Sequence, residues 1–419
     1  MKNILLATRM LLRFKVYTLI NLLGLILSLT CALIIARYIH QEYTVDHYCP
    51  ELDRTFLMTV VNQNNAVRLS GVGRSCGSLE EGHPLKDPAI EKYSTFIIYE
   101  NNSIDVDGHS YTLNMLVADS SFLDIMQYPV VKGLGVIKEP TDAVISEQFA
   151  KKIFGDDNVI GKTFKTSFGK DVTVKGVIDN KSAKSSFNFD LLVSYNACSM
   201  WSRVENQLVR LHNREDVDAY NTRQSKPEKN GSYLRTEIHH QLVSLQDFYF
   251  DHTTVKFDNS VLLKGNIESL RILSIVAVIL FLIGIANYVN LYLVIMRHRA
   301  KEFGVKKVYG ISNGQVFGQL LLENAIVSVI VFFFVGLLIE ISSGTVAKWF
   351  DIRVTSDWGF DLPVALLLMI SLPLGISIYS FIGNNYATTI NSLSSIVKGG
   401  QSIRSRVVFL TAQYMLDLY

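Results

Sequence analysis

Four runs of about twenty residues, almost free of charge, decide most of what this chain can become. Residues 16–36 contain no charged side chain, and neither do residues 272–296. Residues 320–339 carry only Glu323, beside Asn324 near one end. Residues 362–382 carry no charge, with Pro363 near the start and Pro373 in the interior. At 1.5 Å per helical residue each run reaches roughly 30 Å, the hydrocarbon thickness of a bilayer. Burying four such runs inside a soluble protein would require them to lack nearly every solvent-facing polar residue. The first run is also too long for a signal-peptide core, and no small-x-small pattern follows it. The chain is therefore expected to cross a membrane four times, and its average of 49% hydrophobic residues describes neither the membrane part nor the rest.

Short basic flanks orient the crossings, because Lys and Arg remain on the cytoplasmic side. Lys2, Arg9, Arg13 and Lys15 precede the first run; Arg297, Arg299, Lys301, Lys306 and Lys307 follow the second; Lys398, Arg404 and Arg406 follow the fourth. All three groups belong inside if the chain crosses four times. The expected division is a cytoplasmic amphipathic segment at 1–15, crossings at 16–40, 268–296, 320–341 and 362–383, and an external domain at 41–267. A cytoplasmic coupling segment at 297–319, a short external loop at 342–361 and a cytoplasmic tail at 384–419 complete it. The external segment holds 24 Lys and Arg against 30 Asp and Glu, while the remainder holds 16 against 8. Basic anchoring around an acidic external domain follows, with no argument for nucleic-acid binding.

The external segment alternates in short stretches. Residues 103–117 contain Asp107-Gly108 between candidate strands and read as a hairpin. DVTVKGV at 171–177 alternates and breaks at Asp179-Asn180. ISEQFAKKIF at 145–154 reads as a helix capped by Ser146, with Phe149, Ile153 and Phe154 on one stripe and Gly155 at its end. The fold class is an α-helical membrane protein with four transmembrane helices and a large mixed α/β extracytoplasmic domain between helices 1 and 2.

Catalytic and metal patterns are scarce. His239 and His240 are adjacent and diverge on any regular element, and His47, His83, His109, His212 and His252 are scattered, so structural or surface roles are expected for them. Gly161-Lys162-Thr163 ends like a phosphate loop, but Gly155 stands one residue too far upstream. The G-x-S-x-G match at 310–314 lacks the strand that a nucleophile elbow requires. No catalytic, cofactor-binding or metal-binding residue is assigned. Cys49, Cys76 and Cys198 would lie outside, enough for one disulfide of undetermined pairing, and Cys31 reads as a small buried apolar residue in the first crossing.

Polar groups inside the membrane are more informative. Asn287 and Asn290 stand three apart on one helical face and are expected to pack against another helix. Glu323, one turn deep, is expected to serve as partner to the basic inner loop. The stretch RHRAKEFGVKKVYGISNGQVFGQLLLEN, residues 297–324, suggests a short exposed helix between turns at Gly304, Gly310 and Gly314.

Taken in order, three segments resemble a known pattern. They are NLLGLILSL (21–29), AVISEQFAKKIFGDDNVIGKTF with VTVKGVIDN after it (143–180), and IANYVNLYLVIMRHRAKEFGVKKVYGISNGQVFGQLLLENAI (285–326). The chain resembles the first half of an ABC transporter permease of the FtsX-like or MacB-like superfamily. The resemblance implies a permease without its own ATPase site, paired with an ABC ATPase subunit that holds ATP and Mg. It places ATPase coupling at Lys301, Glu302, Gly304, Val305, Lys306, Lys307 and Gly310, and helix packing at Asn287, Asn290 and Glu323. It further implies a second permease copy or a missing second half, a periplasmic partner, and location in the cell inner membrane with both termini cytoplasmic. Family substrates include drugs, antimicrobial peptides and lipoproteins, and some members transmit force without moving a solute. Members of this outline commonly repeat the four-helix unit, and QSIRSRVVFLTAQYMLDLY at 401–419 looks like the run-up to a second one. A truncated product is expected on that ground, with a dimerising four-crossing protomer as the alternative. A membrane-anchored sensor or scaffold without transport is the competing function, separable by whether an ABC ATPase is encoded next door.

Overall fold

The computed structural model describes residues 15–62, 67–69, 83–106, 108–155, 159–180, 184–197, 206–225, 228–229, 237–251, 262–350 and 358–386. Most of the expected amphipathic segment, the tail beyond residue 386, Asp107, Cys76, Cys198 and His252 lie outside them. Two compact units result: Gln41–Ile267, and the chain on either side of it. Helix α1 (Lys15–Tyr43) leads into the first unit. The strands there are β1 (Thr55–Asn62), β2 (Val67–Leu69), β3 (Ile90–Val106), β4 (His109–Ala118), β5 (Val130–Gly133), β6 (Asp142–Ser146), β7 (Thr163–Thr166), β8 (Asp171–Ile178), β9 (Leu191–Ser194), β10 (Asn206–Leu211), β11 (Glu228–Lys229) and β12 (Glu237–Ser244). Between them stand α2 (Ser121–Met126), α3 (Glu147–Phe154), α4 (Asp216–Gln224) and α5 (Leu245–Phe250). Three long helices follow: α6 (Ile267–Val308), α7 (Asn313–Phe350) and α8 (Trp358–Tyr386).

Within the domain, β3, β4, β9, β6, β8 and β7 pair in turn, and β7 pairs back to β3, which closes a six-stranded barrel. Alternate residues point to opposite faces of a strand. One set, including Ile104, Met115, Ile145, Phe164, Val174 and Val193, fills one buried cluster. The other, including Phe96, Leu116, Val144 and Leu192, packs against Phe122 of α2, Phe187 and Phe189 in a second. The 17-residue β3 serves both the barrel and an open antiparallel sheet, since its first half pairs with β10 and the sheet continues through β1 to β12. A register shift between Tyr99 and Asn102 separates its two halves.

The local sequence signals place these elements well. The hairpin forms with Val106 opposite His109, and Gly108 takes φ +79° while its N–H donates to Asp105 Oδ1 at 2.9 Å. Ser146 Oγ caps α3 by accepting from Phe149 N at 3.2 Å, and Gly155 ends it at φ +64°. Ile145 belongs to β6 rather than to the helix, because its side chain is needed in the barrel core.

Each of the four long helices contains a stretch apolar and long enough to cross a bilayer: Leu19–Tyr43, Ile267–Asn290, Asn313–Val346 and Gly359–Tyr379. The helices outrun those stretches. The 42 residues of α6 extend roughly 60 Å, about twice the hydrocarbon thickness. The inner stretch therefore contains no separate short helix. Arg297 to Val308 continue α6, since one Gly304 among good helix formers costs only about 1 kcal/mol and does not break it. Cys31 is exposed on the helix surface rather than buried between helices.

Candidate coupling elbow and intramembrane polar network

The turn between α6 and α7 is closed on both sides. Gly310 takes φ +82°, and Ile311 N donates to Lys306 O at 3.2 Å, so α6 ends in a Schellman motif. Gln315 N donates to Ser312 Oγ at 3.3 Å while Ser312 N donates to Gln315 Oε1 at 3.0 Å, a reciprocal capping box that starts α7. Two long helices thus meet at a defined elbow of four residues. Val305, Val308 and Tyr309 are exposed on it. Lys301, Glu302, Gly304 and Lys307 are helical by backbone, and their side chains lie outside the described residues.

From the elbow a line of polar contacts runs into the helix bundle. Lys306 Nζ donates to Gln319 Oε1 at 3.2 Å, and Gln319 Nε2 donates to the buried Glu323 Oε1 at 2.9 Å. Gln319 and Glu323 stand four apart on α7, which puts them on one face. The next residue, Asn324, is buried and joins three helices. Its Oδ1 accepts from Tyr288 Oη of α6 at 3.0 Å, and its Nδ2 donates to Ser377 Oγ of α8 at 3.0 Å. Groups of this kind are costly in hydrocarbon unless paired, and the bonds of Lys306 to Gln319, Tyr288 to Asn324 and Asn324 to Ser377 each tie one helix to another.

Asn287 lies against α1. A Cβ on Gly24 would come within 2.8 Å of its Nδ2, and one turn away a Cβ on Gly284 would come within 2.4 Å of Ser28 Oγ. Glycine at 24 and 284 is what lets α1 and α6 approach this closely. Asn290 is half-buried and stands outside the chain of bonds just described. At the other end of the bundle Arg37 Nε and Nη2 donate to the two carboxylate oxygens of Asp361 at 2.5 and 2.6 Å, and His40 stacks on Phe360 at 4.3 Å. Sequence reasoning missed Tyr288, Ser377, Arg37 and Asp361; their individual residue types carry no signal until the helices are placed side by side.

The described histidines of the domain form no such site. His240 on β12 is buried, and burial first, then His83 and His239, lowers its pKa to about 4. Among the described residues no group of three or more His, Cys, Asp and Glu is placed to hold a metal ion. Burial alone would raise the Asp87 carboxyl, yet the two-pronged contact of Arg223 at 2.6 and 3.0 Å holds it below the usual range. Cys49 is a buried free thiol that donates to Ile125 O at 3.3 Å.

Residues 18–223 match the MacB-like periplasmic core domain, and residues 274–383 match the FtsX-like permease C-terminal family. The chain belongs to the FtsX-like and MacB-like permease superfamily. The macrolide export ATP-binding/permease protein MacB of Neisseria gonorrhoeae is 26% identical over 277 residues, covering 62% of this chain and 39% of that protein. The pyoverdine export ATP-binding/permease protein PvdT of Pseudomonas aeruginosa is 24% identical over 243 residues, covering 54% of this chain and 34% of that one. The chain thus spans between about a third and two fifths of the length of the curated relatives it matches. Among solved structures, the periplasmic region of MacB from Actinobacillus actinomycetemcomitans matches 40% of this chain and 81% of its own at 18% identity, with a TM-score of 0.30. This FtsX-like permease is a multi-pass membrane protein with a large periplasmic domain between its first and second crossings.

Proposed function

We propose that this chain is the permease subunit of an ABC-type export or force-transmitting complex, in which a separate ATPase subunit hydrolyses ATP and pushes on the α6–α7 elbow. The observation that carries the reading is the unbroken run of α6 from the membrane to a turn capped on both sides. A load applied at Lys301, Glu302, Val305, Lys307 or Gly310 then reaches the bundle without a flexible joint. Lys306, through Gln319 and Glu323, ties the two arms of the elbow together. Asn287, Asn290 and Glu323 serve packing and alignment of the crossings. A second permease copy, or a second half, completes the pair of surfaces that a dimeric ATPase requires.

The test is capture of the ATPase. Lys301→Glu with Lys307→Glu reverses two charges on the elbow without touching the Lys306 contact. Co-purification of an ABC ATPase from native membranes should fall at least tenfold, because two reversed charges replace attraction by like-charge repulsion, which costs several kcal/mol at an interface. Membrane insertion should stay as in wild type. Equal ATPase recovery by the reversed variant would overturn the docking assignment.

A further inference from the structure

In the periplasmic domain the exposed large apolar side chains among the described residues are Tyr43, Val130, Val131, Leu134 and Leu263. Two of them mark where the chain meets the membrane, for Tyr43 closes the apolar span Leu19–Tyr43 and Leu263 stands four residues before the span that starts at Ile267. The other three form one segment, strand β5 and the residue after it, exposed by 49%, 43% and 63%. That segment is the last strand of its sheet, hydrogen-bonded only on the β8 side. An exposed apolar edge of this kind invites association unless something covers it.

Its place in the domain indicates what does. Tyr128, two residues before β5, packs its ring 4.7 Å from that of Tyr48, and both hydroxyls lie within 3.2 Å of Ser185 Oγ. The neighbouring Ser186 donates N–H and Oγ to Asp46, and its carbonyl accepts from Leu263 N at 2.8 Å. The entering chain, the leaving chain and the root of β5 are therefore bonded to one another at the same end of the domain. The backbone also fixes how Leu134 is presented: Gly133 takes φ +73°, and a Cβ on Gly176 would lie 2.1 Å from Leu134 O. Lys132, between the apolar side chains, and Lys138 are exposed. Apolar side chains interleaved with lysine suit the boundary between headgroups and acyl chains of an anionic membrane.

We propose that β5 and Leu134 rest on the outer leaflet of the membrane, with Val130, Val131 and Leu134 in the interface and Lys132 on anionic headgroups. The domain is then supported at a third point besides the two covalent ones.

Full-length protein carrying an environment-sensitive fluorescent amino acid at Leu134 tests this in phosphatidylglycerol-containing nanodiscs with nitroxide-headgroup lipid. The reference position is His109, nine residues and about 30 Å along β4 from Ala118, which adjoins α2 and the Tyr128 end. Quenching is expected at Leu134 and not at His109, and Lys132→Glu should shift the docked population at least about fivefold toward the free state. Equal quenching at both positions overturns the proposal. So does shielding of Leu134 that persists in lipid-free detergent and rises with protein concentration, because a second copy would then be the cover.

Discussion

His240 shows what a single side chain contributes. It sits opposite Val60 in the β1–β12 ladder, buried, and its depressed pKa of about 4 means that the fold accepts only neutral imidazole. The sign follows from linkage: the unfolded chain takes up a proton near the ordinary value of 6.5, whereas the folded chain waits until about 4. The stability associated with neutral His240 is complete above pH 6.5 and is lost progressively as pH falls toward 4, by up to ~3 kcal/mol. Thermal unfolding of His240→Leu should depend less on pH across that window than the parent does. An identical slope for the two proteins would mean that other groups set the acid sensitivity. The adjacent pair His239-His240 was readable as diverging on a strand. Which of the two turns inward depends on the pairing of β12 with β1, and that pairing joins residues about 180 apart. Cys31 fails for a related reason: a helical residue in an all-apolar stretch carries no mark of which face the other helices cover.

Elements were more legible than residues wherever their signal is local. Four almost uncharged runs correspond to four helices, and Ser146 with Gly155 sets the ends of α3. Closure of the barrel was not legible, because the β3–β7 contact that completes it joins Ile104 to Thr166, and only packing in three dimensions selects that partner. The elbow was misjudged since glycines mark turns only when the surrounding propensity is weak; of Gly304, Gly310 and Gly314, only Gly310 adopts positive φ. The α1–α6 contact supplies a prediction at this scale. Gly24→Val presses a side chain on Asn287, and Gly284→Val presses one on Ser28, so each should cost about 1–3 kcal/mol and lower the unfolding temperature of the detergent-solubilised protein. Gly336→Val, where no atom lies within 4 Å of the added carbon, is the control and should change little. Asn324→Leu breaks the link from Tyr288 to Ser377 and should cost about 1 kcal/mol, in the range of measured intramembrane hydrogen bonds. If the Gly336 variant loses as much as the other two glycine variants, close helix approach is not what those positions provide.

For the whole molecule, the question is whether α6 acts as a lever or only as a tether that holds the elbow. A tether needs length and no stiffness; a lever needs both. Between Arg297 and Lys301 lie His298, Arg299 and Ala300, which belong to the projecting part of α6 and to none of the residues assigned to docking. Replacing these three by glycine removes helix propensity worth roughly 1 kcal/mol at each position, whereas replacing His298 and Arg299 by alanine strengthens the helix while deleting the same side chains. Both variants should capture the ATPase as the parent does, since the elbow itself is untouched. The glycine variant should lose most of the ATP-dependent displacement of the periplasmic domain, measured as a distance change between spin labels on two copies reconstituted with the ATPase. The alanine variant should retain it. Parent-like displacement in the glycine variant would show that the force enters elsewhere, and the continuity of α6 would then be a matter of stability alone. Loss in both variants would instead assign a direct role to the side chains of His298 and Arg299.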